Sequence, residues 1–480
     1  MKKRLFLLIP LLFFMTSCGN QSDNNTSSST PLDNTDNSQE SSDMKYKIYL
    51  LAQNSGYNGT YEDWLNSIRG DQIVLTVNNN ILVWKYSKED NTNFRILLDL
   101  STIKGDDSVQ YYPVVYRNDD GSFYDVEYVE KGKSCSPKIA NKTLAVGNKK
   151  ADYIFIGWDG ASLENIQEPT TVYASYSEYA KYGTNKVYFG SYPQTLINST
   201  LNAPLVANLN NIAGALPTSS NKGNWIDYNY YINGNVSSYM YYQDIDYDLD
   251  GDFDYRGVYF NEYRPGHTIG ENDTDEPIQS INGYSKGLVY WFSFDPIEWD
   301  ILKEENGKAL VIANLILDCQ EIFPSDETNQ FNHNGGTGYA NNYALSNIRK
   351  FINNQFYNDA FNNLQKEIIQ NTIVDNSKYS TETTSNIYAC NDVSDKMFLL
   401  SYREVISYFT TNTMCTKATD YAKCQGALVD PDNGNSNWFG RSPKPTEAFR
   451  MLTIKRDYTI TYFRCYDASC GLRPACWIEL

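Results

Sequence analysis

Histidine is almost missing from this chain: His267 and His333 are the two in 480 residues. That scarcity excludes a multi-His metal centre and leaves a Ser-His or Cys-His catalytic relay with hardly any candidates. Positive charge is also in short supply. Forty Lys and Arg stand against 58 Asp and Glu, for a formal net charge of −18 and a pI near 4.6. Such a surplus repels polyanions, which excludes nucleic acid and anionic lipid headgroups as main partners. No apolar run after residue 14 approaches the ~20 residues a membrane-spanning helix needs. Tyrosine, by contrast, is abundant: 40 residues, as many as Lys and Arg together. With 41% hydrophobic and 14% aromatic content the chain can fill packed cores, so global disorder is excluded. At ~100–200 residues per domain, the length predicts about three domains.

Residues 1–18 read as an address. Lys2, Lys3 and Arg4 are followed by the apolar stretch Leu5 to Phe14, which is too short to span a bilayer. Met15-Thr16-Ser17-Cys18 then resembles the lipobox of bacterial lipoproteins. That resemblance implies a signal peptide over 1–17, acylation of Cys18, and a chain held by lipid on the extracellular face of the bacterial membrane. Stable anchoring of this kind takes two acyl chains. Loss of residues 1–17, with three positive charges and no negative ones, shifts the formal net charge from −18 to −21. Residues 18–43 are rich in Ser, Asn, Asp and Thr, with Leu32 the one sizeable apolar residue. They cannot bury enough surface to offset ordering entropy, which predicts a disordered tether.

Two small units follow. Over 44–70, Trp64, Leu65 and Ile68 share a helical face, and Thr60 is placed to cap it ahead of Glu62 and Asp63. This predicts a short helical motif. Over 71–105, Val74, Leu75, Val77, Ile81, Val83 and Tyr86 predict strands around an Asn78–Asn80 turn, a small β module. The strings GYNGTYEDWLNSIRG and Ile81–Tyr86 resemble repeated motifs of surface proteins from low-GC bacteria. Residues 112–178 predict strands at 112–117, 123–130, 153–158 and 171–176, with a hairpin at Asp119-Asp120-Gly121. The run Tyr153–Gly160 and the closing Thr170–Ala174 resemble the internalin-type B-repeat, which implies a small β-grasp-like spacer on a cell surface. Trp158 reads there as a core residue.

Residues 185–480 are the largest region. An apolar strand is predicted over 309–316. Ile348, Phe351, Ile352 and Phe356 give residues 345–361 helical spacing. Met397–Leu400 reads as a short buried strand, Ser401-x-x-Glu404 as a capping box for a helix through Tyr408, and Thr419–Gln425 as a helix stopped by Gly426. Val187–Thr195, Asp295–Leu302, Trp438–Pro443 and Gly471–Ile478, taken with these, resemble the bacterial family called domain of unknown function 6273. Gly440 departs from its pattern, where Leu is favoured. The resemblance implies a compact domain. The fold class expected for the whole is therefore α+β multidomain: small β modules followed by a large α+β domain, distantly C-type-lectin-like.

The sharpest candidate site is Asp246, Asp248, Asp250, Asp252 and Asp254, spaced as D-x-D-x-D-G around Gly251. Alternate carboxylates in such a loop converge on calcium, while Gly at the sixth position permits the sharp turn. Gly257 stands at the twelfth position, where an EF-hand would place Glu. A β-hairpin whose turn carries solvated Asp residues fits the same residues. Trp438, Arg441, Tyr466 and Arg473 are the candidate binding residues. The two Arg residues suit either donation to backbone carbonyls and carboxylates or contact with a ligand carboxylate. The aromatic pair suits either a sugar-stacking surface or a core. The eight cysteines after Cys18 suit either disulfides or buried thiols. Nothing pairs His267 or His333 with a nucleophile. These residues predict a non-catalytic module that binds a glycan or a protein, with an envelope-assembly protein or an enzyme on a formylglycine-generating-enzyme-like scaffold as alternatives. Calcium is the one candidate cofactor.

Overall fold

The computed structural model describes residue 60, the strands within 73–99, and residues 109–480 apart from 219, 229–239, 265–276, 326 and 334. Residues 1–59, with the signal segment, Cys18 and the tether, lie outside the described residues, as do the helical motif at 61–70 and His267. The chain divides into two compact units, residues 1–108 and 109–480. Among the described residues no helix is long and apolar enough to cross a membrane.

In the first unit Ile73–Asn78, Ile81–Tyr86 and Arg95–Asp99 form a three-stranded antiparallel sheet. The first two pair antiparallel, with Asn78 opposite Ile81; the Asn79 and Asn80 of the expected turn lie outside the described residues.

The second unit is built on one 12-stranded mixed sheet. Its spine is Val289–Glu305, 17 residues that include Tyr290, Trp291, Phe292, Phe294 and Trp299. The first part pairs with Tyr255–Phe260, the last part with Lys308–Ala313, and Lys186–Leu196 runs along its other edge. Register shifts at Ser293/Phe294 and Pro296/Glu298 let so long a strand bend. Pro296, with no amide hydrogen to give a ladder, sits between them. Lys186–Leu196 pairs with Thr170–Tyr182, and through it the sheet continues to Tyr111–Arg117 and Phe123–Glu130. The segments 112–178 and 185–480 are thus parts of one continuous sheet. Glu298 strengthens the join by accepting hydrogen bonds from Lys149, Lys186 and Tyr188. Burial alone would raise its pKa, but these donors outweigh that and hold it below the usual carboxylate range.

A five-stranded sheet orders Asp318–Cys319, Gly471–Leu472, Trp438–Pro443, Arg450–Ile454 and Ile460–Arg464. Its residues share a core with the large sheet around Trp299, Phe189 and Phe361, whose rings stack. Gly190 has φ +68°, and a Cβ there would lie 2.6 Å from the Ala360 carbonyl and the Phe361 ring. Glycine alone fits both the backbone and the space.

The expected large α+β domain is not what forms. The described residues are dominated by strands in large mixed sheets, and their longest helix, Ala203–Ala213, has 11 residues. The helical spacing at 345–361 is real but is spent in short pieces: a 3-10 turn, one α turn at Asn347–Phe351, a π turn at Ile352–Phe356, then Tyr357–Ala360. Long runs of aromatic and β-branched residues elsewhere supply the sheets, and the helices only cover them. Met397–Leu400 is buried as expected, yet it makes one isolated bridge, Phe398 to Ala475, instead of a strand. The local signals at helix ends hold. Ser401 and Glu404 form a reciprocal capping box for Tyr402–Tyr408. Thr419 caps Asp420–Gln425, and Gly426 ends it at φ +109°.

Candidate functional site

The acidic residues sit at the tip of a hairpin. Met240–Ile245 and Tyr255–Phe260 pair antiparallel from Met240↔Phe260 to Ile245↔Tyr255. The loop between them carries all five carboxylates. Leu249 and Gly251 take left-handed backbone, φ +63° and +104°, and so turn the chain. Asp246, Asp248 and Asp254 each offer one carboxylate oxygen, and these oxygens lie within 4.8 Å of one another. A calcium ion with oxygens at about 2.3–2.6 Å fits that spacing. The loop also folds onto its own carboxylates. Gly251 donates its amide to Asp246 Oδ2 at 3.0 Å, and Tyr247 donates to Asp254 Oδ2 at 2.6 Å. Asp246 Oδ1 is shut off from solvent and has no hydrogen-bond partner. Burial and the neighbouring carboxylates of Asp250, Asp254 and Asp246 raise the Asp248 pKa. Asp250 and Asp252 are exposed and stay outside the triad.

Strands, not helices, flank this loop, and Gly257 lies within one of them. A Cβ on Gly257 would come within 2.7 Å of the Trp291 ring, so the twelfth-position Glu of an EF-hand has no room. The two readings of the sequence therefore merge into a hairpin whose tip gathers three carboxylates.

Beneath the hairpin Arg256 is fully buried. Its guanidinium donates to Asp244 at 2.7 Å through both Nε and Nη2, to Asp359 at 2.9 Å, and to the Tyr421 hydroxyl at 3.2 Å. Burial raises the Asp359 pKa, against the opposing pull of Arg256. Beside the loop lies a cavity of about 410 Å³. Gly251, Asp252 and Phe253 form one wall, Asn358, Asp359, Asn362 and Gln365 another, with Tyr153 and Phe294 adding aromatic surface. Sequence reasoning missed this second wall, because 345–361 reads as continuous helix. The polar run Asn358, Asp359, Asn362 is the signal that could have marked it. A larger cavity of about 640 Å³ lies between Ala203–Ala213 and the start of Val289–Glu305; Trp225, Trp291, Leu216 and Leu288 line it, and among the described residues no charged one does.

The other candidate binding residues do not form a site. Trp438 is wholly buried, with its indole N–H on the Met414 carbonyl at 3.0 Å. Arg473 is buried against Trp438 and donates to the Ala313 carbonyl at 2.8 Å. Burial pushes its pKa down to about 10. Arg441 is buried too and is spent on the Leu399 and Asp375 carbonyls and the Glu404 carboxylate. Of the two readings for these Arg residues, donation to internal acceptors is the one that occurs. Tyr466 is half-buried and receives a hydrogen bond from Arg464. Among the eight described cysteines no disulfide forms, and five of them are buried.

Residues 306–480 match the model of the family described as Domain of unknown function (DUF6273). The match covers the C-terminal part of the region where the resemblance was read, and leaves the acidic loop outside it. No curated protein and no solved structure matches the chain.

Proposed function

We propose that this protein is a lipid-anchored lipoprotein on the extracellular face of a bacterial membrane, whose folded 109–480 unit acts as a non-catalytic binding module supported by calcium. The lipobox-like Met15–Cys18 supports the anchor, and the B-repeat-like 112–178 segment suits a surface protein. The observation that carries the binding reading is the gathering of Asp246, Asp248 and Asp254 within 4.8 Å, with Asp246 Oδ1 buried and unpaired. Uncompensated carboxylates this close repel, and a divalent cation both neutralises them and satisfies the orphaned oxygen. The module presents its ligand surface at this end of the large sheet, and the partner is a glycan or a protein.

Terbium titration of the full chain in detergent tests the cation site. Tyr247 and Tyr255, with ring centroids 5.8 Å apart next to the loop, serve as sensitisers. Saturable terbium luminescence that calcium displaces is expected. Replacing Asp246 and Asp248 together by Asn should weaken it at least tenfold. Luminescence that does not saturate, or that survives the double substitution, rejects the calcium reading.

A further inference from the structure

The 410 Å³ cavity beside the acidic loop has a chemistry of its own. Among the described residues no Lys, Arg or His lines it. Arg256 is buried below and already committed to Asp244, Asp359 and Tyr421, and the Lys366 ammonium reaches the wall only from behind the lining, on Asn358 Oδ1. The charged groups in the lining itself are the carboxylates of Asp252 and Asp359, which disfavour an anionic ligand. The walls instead alternate hydrogen-bond acceptors and donors. The carboxylate of Asp252 has no partner among the described residues. Asp359 lines the cavity and accepts the Arg256 bond through Oδ2. Asn362 and Gln365 cap their helix reciprocally through their side-chain oxygens, at 2.9 and 3.2 Å. Asn358 takes the Lys366 ammonium at 3.2 Å through Oδ1. Each of these three amides thereby has its oxygen occupied and its NH₂ group left to donate.

Aromatic surface completes the site. Phe253 is 49% exposed and packs 6.1 Å from Phe294, and Tyr153 stands across the opening. Carboxylates that accept from hydroxyls, amides that donate to ring and hydroxyl oxygens, and a ring for C–H faces make up the polarity of an uncharged polyol ring. The volume falls in the ~300–1,000 Å³ range of small-ligand sites. The wall that carries the amides follows directly on the π turn at Ile352–Phe356, an irregularity that recurs at functional sites.

We infer that this cavity binds an uncharged sugar unit, at the end of a neutral glycan, with Phe253 and the Asn358–Gln365 wall as its contacts. The inference rests on the binding-module reading and names the ligand class for that module. Because Gly251, Asp252 and Phe253 belong both to the loop and to the cavity, a cation held by Asp246, Asp248 and Asp254 steadies the wall without touching the sugar.

The test uses the full chain in a detergent without a sugar headgroup. The probes are neutral hexose- and N-acetylhexosamine-terminated oligosaccharides, with sialylated and sulfated counterparts, on an array and then by calorimetry in calcium and in EGTA. At least one neutral oligosaccharide should bind, and a terminal sialic acid or sulfate on it should weaken binding at least tenfold. Phe253→Ala, and Gln365→Glu, which keeps the capping oxygen but removes the NH₂ donor, should each weaken it at least tenfold, while the terbium titration and the thermal midpoint stay in place. A chain that titrates with terbium yet binds no neutral glycan, or binds one equally well as Phe253→Ala, overturns the sugar site and leaves the calcium reading. A chain that binds neutral glycan equally in calcium and EGTA, with no terbium titration, overturns the calcium reading and leaves the sugar site standing.

Discussion

His333 lies wholly buried at the end of the short strand Phe331–His333, edge-on to Phe323 with centroids 3.9 Å apart, and neither ring nitrogen has a hydrogen-bond partner. Burial, with a smaller push from Lys350, moves its pKa down to about 4. The unfolded chain then takes up this proton first as pH falls. Stability associated with His333 is complete above about pH 6.5 and declines as pH drops toward 4, by no more than ~3.5 kcal/mol at ~1.4 kcal/mol per pH unit. Urea midpoints for the native chain and His333→Phe, compared from pH 7 to 4, should diverge over that window, with the variant less acid-sensitive; parallel curves would reject the assignment. Gly440, the departure from the resemblance, has no room for a side chain. A Cβ there would come within 2.5 Å of Leu452 and 2.7 Å of the Leu400 carbonyl, so this chain has filled from elsewhere the space in which a Leu would sit. Single residues such as Arg441 and Arg473 stand out in a sequence because they occur in recurrent strings. Burial, which assigns them to internal carbonyls, is not written in those strings.

Elements were most legible where a local rule decides them. The Asp119-Asp120-Gly121 turn, the capping box at Ser401, the Thr419 cap and the Gly426 stop all depend on neighbours within four residues, and all appear. Strand lengths and pairings were less legible. The strand expected over 171–176 runs over Thr170–Tyr182, and Ala180↔Tyr188 to Tyr182↔Lys186 close a hairpin onto the next strand. That hairpin makes the region before 185 part of the same sheet, with Tyr179 and Ala180 buried in it. A chain begun at residue 185 should therefore be less stable than one begun at 109, by roughly 3 kcal/mol or more from the lost aromatic burial alone. It should also aggregate through the uncovered edge of Lys186–Leu196. The 109–480 chain should unfold in one thermal transition; equal midpoints for the two fragments would show that the hairpin adds nothing.

At the scale of the whole molecule the acidic surplus has a distribution. Part of it lies in the 18–43 segment and part in the hairpin tip. The proposed anchor has a direct check: Cys18→Ala should move the protein from the membrane fraction to the soluble one, and a variant that stays with membranes rejects lipidation at Cys18. Composition alone set the expectations about metals and partners, since two histidines and a net negative charge bear on chemistry however the chain folds. Spacing alone marked the D-x-D-x-D-G loop and the helix ends, because the groups involved are neighbours along the backbone. Tertiary structure decided the rest. Arg256 and Asp359 are 103 residues apart, and Asp252 meets Gln365 across one cavity, through packing that no local pattern encodes. It also decided that the fold is a large mixed sheet with short helices on it. A strand's partners lie far along the chain and are chosen by what each face can bury, whereas a cap or a turn is chosen by the residues beside it.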